Sequence, residues 1–572
     1  MNREELLHKL REKTLFIYGE KRGALAYEAM LSLVKRWEST DFGNNRALTE
    51  QNVFLITYGD AVRLQGKTPL NALHSFLNEQ VGGAITDVHL LPMFPYTSDD
   101  GFSVTDYRAI DPELGSWEDI SRFLGDYRLM FDFVANHISK SSEWFQGYLQ
   151  GDERFENYFI PRDEEFDTSH VIRPRTSPLF HEYEGSSGSR TAWTTFSEDQ
   201  VDLNAAHIPV LCDLSDILLD YASRGASSVR LDAIGFLWKE PGTTCMHLPR
   251  THAIISMWRD LLDYFKPGTQ IITETNVPHA DNIKYFGDGS NEANMVYQFS
   301  LPPLVLYSFT VQDATKLTQW AKGITRVSDT ATYFNFLASH DGIGMRPTEG
   351  ILDDNERLLL AEKVQANGGR ISYKNNADGT KSVYELNINY IDALTNADEK
   401  DNLQLITNKA LAAHCILCSV IGVPAIYYHS LFGSSNDYSG LEESGISRSI
   451  NREKLEADKL AAELTNDARR RTIFGGITAM LSVRQLTSAF SPYADQEILD
   501  LDNRVFAVRR SNERTGSTVT AVINVTGRPV QIKAPAQGTE LLTSMEFGEM
   551  LELEPYGYAW IQAHPEPSAG DK

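Results

Sequence analysis

Between residues 51 and 430, short apolar runs rich in β-branched and aromatic residues alternate with amphipathic stretches of helical period. The runs fall at 53–58, 88–91, 129–134, 229–231, 271–273, 295–299, 334–337 and 423–428. Eight strands alternating with helices predict a closed parallel barrel, the (β/α)8 architecture of the α/β class. A doubly wound open sheet is the alternative, and it would place a Gly-rich phosphate turn after the first strand, where none occurs. Residues 1–50 read as an N-terminal helical extension of two helices, from the apolar spacing in LLHKL and AYEAMLSLVKRW.

Two connections are too long to be plain loops. The barrel is therefore expected over 51–137, 206–341 and 405–488, interrupted by inserted subdomains at 138–205 and 342–404 that overhang the C-terminal ends of the strands. From 489 to 563 the period becomes two, as in EILDLDNRVFAVRRS and STVTAVINV, which predicts a C-terminal antiparallel β domain. Residues 564–572, HPEPSAGDK, read as a tail.

Composition changes this picture in one respect. The chain of 572 residues carries 53 basic and 78 acidic side chains, a formal charge of −25. Nucleic acid and anionic membranes are excluded as general partners, because phosphate affinity rests on clustered Lys and Arg. An anionic substrate would have to be held by a few local cations. The charged N-terminus lacks a signal-peptide h-region and no long apolar run follows, so a cytoplasmic protein of small-molecule substrates is expected. The four cysteines make no disulfide framework, and Cys415 and Cys418, a CxxC in an apolar helix, are expected in the core. No metal or cofactor is expected; the choice between monomer and homodimer stays open.

Polar residues gather at four strand ends: Asn136 and His137 at the third, Arg230 and Asp232 at the fourth, Glu274 at the fifth, His340 and Asp341 at the seventh. A barrel brings these ends to one cavity. One carboxylate ending a strand is commonly a helix cap; three around one cavity suit glycosyl transfer with retention. There one ionised carboxylate attacks the anomeric carbon while a protonated one delivers a proton to the leaving oxygen. Arg230 is expected to keep Asp232 ionised, and burial to raise Glu274.

The segments HLLPMFP, DDGFSVTDY, FDFVANH, RPR, DQVDLN, VRLDAIGFLWKEPGT, ITETN, FSLPPL, ASHDGIG and GVPAIYY, spread over residues 52–452, resemble the α-amylase clan and within it the sucrose-phosphorylase subfamily. The resemblance implies Asp232 as nucleophile, Glu274 as general acid/base and Asp341 as stabiliser of the transition state. It implies that Asp99, Phe102, His137, Gln200, Arg230, Phe236, His340 and Arg448 hold the glucosyl ring; Phe236 stands where the subfamily usually has Tyr. It also implies that Arg175, the second arginine of RPR, binds phosphate, with Arg173 beside it. An α-glucoside hydrolase or transglycosylase would not need that motif, and a non-catalytic relative would have lost part of the carboxylate triad.

At the acceptor wall the sequence departs from the sucrose pattern. Ser382-Val383-Tyr384-Glu385 replaces Asp-Leu-Tyr-Gln, and Asn276 replaces a His after the acid/base. With the N-terminal extension, these features resemble the glucosylglycerate-phosphorylase branch, with sucrose or glucosylglycerol as the alternative glucosides. A glycerate carboxylate would need a cation, and Arg173, Arg175, Lys239 and Lys374 are the candidates. Glu385 opposes such a site unless it turns aside or pairs with a cation.

Overall fold

The computed structural model describes residues 1–186, 188–375 and 380–563. The expected tail at 564–572 lies outside them, as do residues 376–379 of the second insertion. Eight strands pair in parallel in chain order and close into a barrel: Phe54–Thr57, Asp87–Leu90, Arg128–Phe133, Ala226–Leu231, Gln270–Thr273, Met295–Tyr297, Thr332–Phe336 and Val423–Tyr427. Closure sets Phe54 between Ala425 of the eighth strand and Asp87 of the second. The strands read as continuous apolar runs because the barrel interior and the surrounding helices bury both faces.

Helices Ile208–Ser223 and Pro249–Phe265 flank the fourth strand, and the N-terminal segment Arg3–Trp37 packs across both. That segment opens with a capping box between Asn2 and Glu5 and breaks at Gly19, whose φ of 74° and ψ of 174° no helix accommodates. The two expected helices therefore meet at one residue. Lys9 and Lys13 both pair with the buried carboxylate of Asp260, and the Tyr18 hydroxyl donates to the Ala205 carbonyl at 2.8 Å. The Tyr18 ring meets Trp238 edge-on at 5.8 Å, so the extension props the turn that follows the fourth strand.

Both long connections leave from the C-terminal ends of strands. In the first, His137–Ser139 pairs antiparallel with Gln200–Asp202, and Phe180–Gly185 with Gly188–Trp193. In the second, Lys381–Asn387 lies between Ile343–Gly344 and Arg370–Asn375. The C-terminal unit is a six-stranded antiparallel sheet with a two-stranded ribbon, Val530–Lys533 and Met550–Leu553. It is fastened to helix Leu403–Ser419: Trp560 Nε1 donates to Ser419 Oγ at 2.8 Å, and the buried Arg510 donates to the Ser419 carbonyl at 3.2 Å. Cys415 and Cys418 sit in that helix, buried, and burial pushes the Cys418 thiol up to about 12.

Candidate active site

The barrel opens at its C-terminal end into a cavity of about 750 Å³, counting the space at its mouth. Asp232 and Glu274 are the residues immediately after the fourth and fifth strands, so neighbouring strands set them side by side. Ala233, next after Asp232, holds φ 47° and ψ 29°, a left-handed conformation costly for a residue with a Cβ. The bend aims its N–H at Glu274 Oε2, 3.0 Å away.

Arg230 lies beneath these carboxylates. Its Nη1 contacts Asp232 Oδ1 at 2.8 Å, while its Nη2 stands 4.0 Å from Glu274 Oε2. Asp132 of the third strand grips the same guanidinium from below and also accepts or shares a proton with His89 Nε2 of the second strand at 2.6 Å. This buried His89–Asp132–Arg230 chain fixes the arginine before any substrate arrives. Arg230 is 1% exposed and lies under the carboxylates, behind the residues that line the cavity.

Burial pushes Asp232 well above the ordinary carboxylate range, with Arg230 opposing and Glu274 adding to the rise. Burial raises Glu274 as well, again against Arg230. The expectation that Arg230 alone keeps Asp232 acidic is therefore incomplete. Two adjacent buried carboxyls disfavour a second negative charge and titrate as a pair. The short contact of Arg230 to Asp232, against 4.0 Å to Glu274, holds the anion on Asp232 and leaves the proton on Glu274.

Asp341 closes the triad on the far side. Burial alone would raise it, but Arg448, Arg452, Arg230 and Arg175 outweigh burial and hold it below its usual range. Arg448 Nη1 lies 2.6 Å from Asp341 Oδ1. The rest of that guanidinium makes a two-pronged pair with Glu385, Nε to Oε1 at 3.0 Å and Nη2 to Oε2 at 2.8 Å. Glu385 is thus turned away from the cavity, packed so closely over Gly342 that a Cβ there would lie 2.6 Å from Glu385 Cγ. Of the two ways for Glu385 to spare an acceptor carboxylate, turning aside or pairing with a cation, the contacts show the pairing, with Arg448.

Around this floor His137, Phe102, His340, Asp99, Gln200 and Phe236 line the cavity. Phe102 and His340 stack at 4.8 Å, His137 Nε2 meets the Phe102 carbonyl at 3.0 Å, and Gln200 Nε2 donates to Asp99 Oδ2 at 3.3 Å. Burial lowers His340 well below its usual value and lowers His137 too, so both imidazoles stay neutral. Phe236 meets Phe196 edge-on at 5.5 Å.

Arg175, Asn276 and Tyr384 also line the cavity, toward its mouth; Arg173 and Ser382 do not. Arg173 bonds to the Ser177 carbonyl, which holds it back in the first insertion. Two other expected cations are engaged elsewhere. Lys239 is buried between Asp202 Oδ2 at 2.7 Å and Asn136 Oδ1 at 2.9 Å, and Lys374 pairs with Glu349 at 3.0 Å. The sequence reading missed Arg346, which lines the cavity from the turn after Ile343–Gly344, and Arg452, which pairs with Asp100 and reaches within 3.9 Å of Asp341. Arg452 lies four residues after Arg448 in ISRSINR, and the short 3-10 turn Ser447–Asn451 between them brings both guanidinium groups to Asp341. Among the described residues no group of three or more His, Cys, Asp and Glu side chains could hold a metal ion, and no helix is long and apolar enough to cross a membrane.

A closed parallel barrel with three carboxylates set over an arginine at its C-terminal end is the arrangement of a glycosyl-transferring enzyme. Residues 82–362 match the α-amylase catalytic domain. Three relatives named glucosylglycerate phosphorylase are each 43% identical to the chain. That of Spirochaeta thermophila aligns over 96% of this chain and 95% of its own. A sucrose phosphorylase of Agrobacterium vitis is 31% identical over 70% of this chain and 82% of its own. A crystal structure of sucrose 6F-phosphate phosphorylase from Thermoanaerobacter thermosaccharolyticum shares the fold, with a TM-score of 0.72 at 22% identity over 88% of this chain and 98% of that one. The chain belongs to the α-amylase family, in the branch that holds the glucosylglycerate and sucrose phosphorylases.

Proposed function

We propose that the protein is a retaining phosphorylase that reversibly converts 2-O-α-glucosyl-D-glycerate and phosphate into α-glucose 1-phosphate and D-glycerate. Asp232 attacks the anomeric carbon as Glu274 gives its proton to the departing glycerate oxygen, forming a β-glucosyl ester on Asp232. Phosphate then displaces the ester from the opposite face, with Glu274 taking up its proton, and the two inversions restore the α configuration. Asp341, steadied by Arg448 and Arg452, holds sugar hydroxyls as positive charge builds on the ring. The names of the relatives at 43% identity support the glucoside.

The observation that carries phosphorolysis over hydrolysis is the pair of arginines at the mouth. Arg175 and Arg346 line the cavity, and neither has an ion pair or hydrogen bond from its side chain to another described residue. Water would need no such cations; phosphate and glycerate are both anions. The inserted subdomains at 138–205 and 342–404 supply one arginine each, and phosphate and a sugar phosphate as reactants suit a cytoplasmic enzyme. Proton and phosphorus NMR of glucosylglycerate mixed with phosphate should show α-glucose 1-phosphate and D-glycerate. Free glucose as the main product would make the protein a hydrolase, and the β anomer would remove the retaining mechanism.

A further inference from the structure

We propose that Arg346, with the amide of Asn276 beside it, is the anchor for the carboxylate of the acceptor, and that Arg175 serves phosphate instead. This assignment rests on the phosphorylase reading above and deepens it to the residue that sets acceptor choice.

Four cations were plausible from the sequence, and the structure leaves one of them in the cavity. Lys239 and Lys374 are paired with carboxylates and Arg173 is tied to a carbonyl. Arg346 joins the remaining Arg175 as a second unpaired guanidinium there. In a chain of net charge −25, two half-buried arginines left without a carboxylate partner in one cavity are an unmet demand for anions.

The two arginines reach the cavity from different segments: Arg175 from the first insertion, and Arg346 from the turn after Ile343–Gly344, where the Met345 N–H donates to the Tyr384 carbonyl at 3.0 Å. Arg175 is among the strongest charges felt by Asp341, so it stands close to the reacting centre, where phosphate has to approach the anomeric carbon. Both arginines act on Tyr384, Arg175 more strongly, and Arg346 also acts on His247. In the same cavity lining Asn276 makes no side-chain hydrogen bond to another described residue, and its buried Oδ1 is unpartnered. Gly344 is what lets the amide lie there: a Cβ at Gly344 would sit 2.7 Å from both terminal atoms of Asn276. An Arg fork for two carboxylate oxygens, and an amide for the neighbouring hydroxyl, match an α-hydroxy acid. Neutral polyols of the same size would leave the guanidinium desolvated and unpaired.

Arg346→Gln and Arg346→Lys test this in the full-length enzyme. Initial rates are measured from α-glucose 1-phosphate with D-glycerate or glycerol as acceptor, together with the KM for inorganic phosphate in the forward direction. Arg346→Gln should lower kcat/KM for glycerate by about 10- to 100-fold, chiefly through KM, the range expected for losing a hydrogen-bonded charge. Glycerol and phosphate kinetics should stay within about twofold, which also shows that the variant folds, and Arg346→Lys should recover part of the loss. A wild-type preference for glycerate that survives in Arg346→Gln would overturn the assignment alone. So would a rise in the phosphate KM in place of the glycerate KM. A wild-type enzyme indifferent to the carboxylate would overturn both this assignment and the glycerate reading.

Discussion

At the inner end of the cavity Asp232, Arg230, Asp341 and Arg448 are each held by an opposite charge, and the arginines are held again from behind by Asp132 and Glu385. At the mouth the side chains of Arg175, Arg346 and Asn276 make no ion pair or hydrogen bond to another described residue. The inner end meets the same glucosyl group in both half-reactions, and groups fixed in advance need no rearrangement as charge develops. The mouth meets phosphate in one direction and glycerate in the other, so its cations are left for ligands. If this contrast is right, substitutions at the inner end lower turnover with every acceptor, and those at the mouth change which acceptor is used.

The largest effect should come from Asp232→Ala, which removes the carboxylate proposed to form the glucosyl ester. Turnover should fall by about four powers of ten or more while the melting temperature stays close to wild type. Residual activity above about a hundredth would place the nucleophile elsewhere. Glu274→Ala should come next, costing about 10²- to 10⁴-fold with glucosylglycerate and much less with α-glucosyl fluoride, whose leaving group needs no proton. Equal losses on both donors would make Glu274 structural.

Glu385→Gln sharpens the contrast most directly, because by position it resembles an acceptor residue and by contact it belongs to the inner end. We expect about a tenfold drop in kcat from a loosened Arg448, equal for glycerate and glycerol. A change in their ratio would return Glu385 to the acceptor wall. The pH profile tests the proton assignment without any substitution. Asp232 and Glu274 are both raised by burial, so activity should follow a bell. The acid limb arises as the pair takes up a second proton and Asp232 is neutralised. The alkaline limb arises as Glu274 loses its proton, each limb falling about tenfold per pH unit. With α-glucosyl fluoride and Glu274→Gln the alkaline limb should vanish; its persistence would assign that proton to another group.

The barrel was legible in the sequence because burial on both strand faces writes an unbroken apolar run, and the triad because carboxylates at the ends of such runs have no packing reason to be there. Residues whose roles depend on contacts between distant segments were harder to read. Lys239 looks free in FLWKEPGT, yet the turn after the fourth strand folds it onto Asp202 of the first insertion. Arg346 reads as one charge in a polar loop until Ile343–Gly344 pairs with Lys381–Asn387 and turns it toward the cavity. Asp132 and His89 lie inside strands, where their pairing across the barrel to Arg230 leaves no periodic trace.

The most direct test of the account is acceptor competition. With α-glucose 1-phosphate as donor, kcat/KM is measured for D-glycerate, glycerol, fructose and fructose 6-phosphate by phosphate release, and the products are identified by NMR. The account predicts that D-glycerate leads glycerol by about 10²-fold, because a site that pairs a carboxylate rejects the neutral analogue. The product should be 2-O-α-glucosyl-D-glycerate. Fructose or glycerol in first place, or phosphate release with glucose as the sole product, would contradict it.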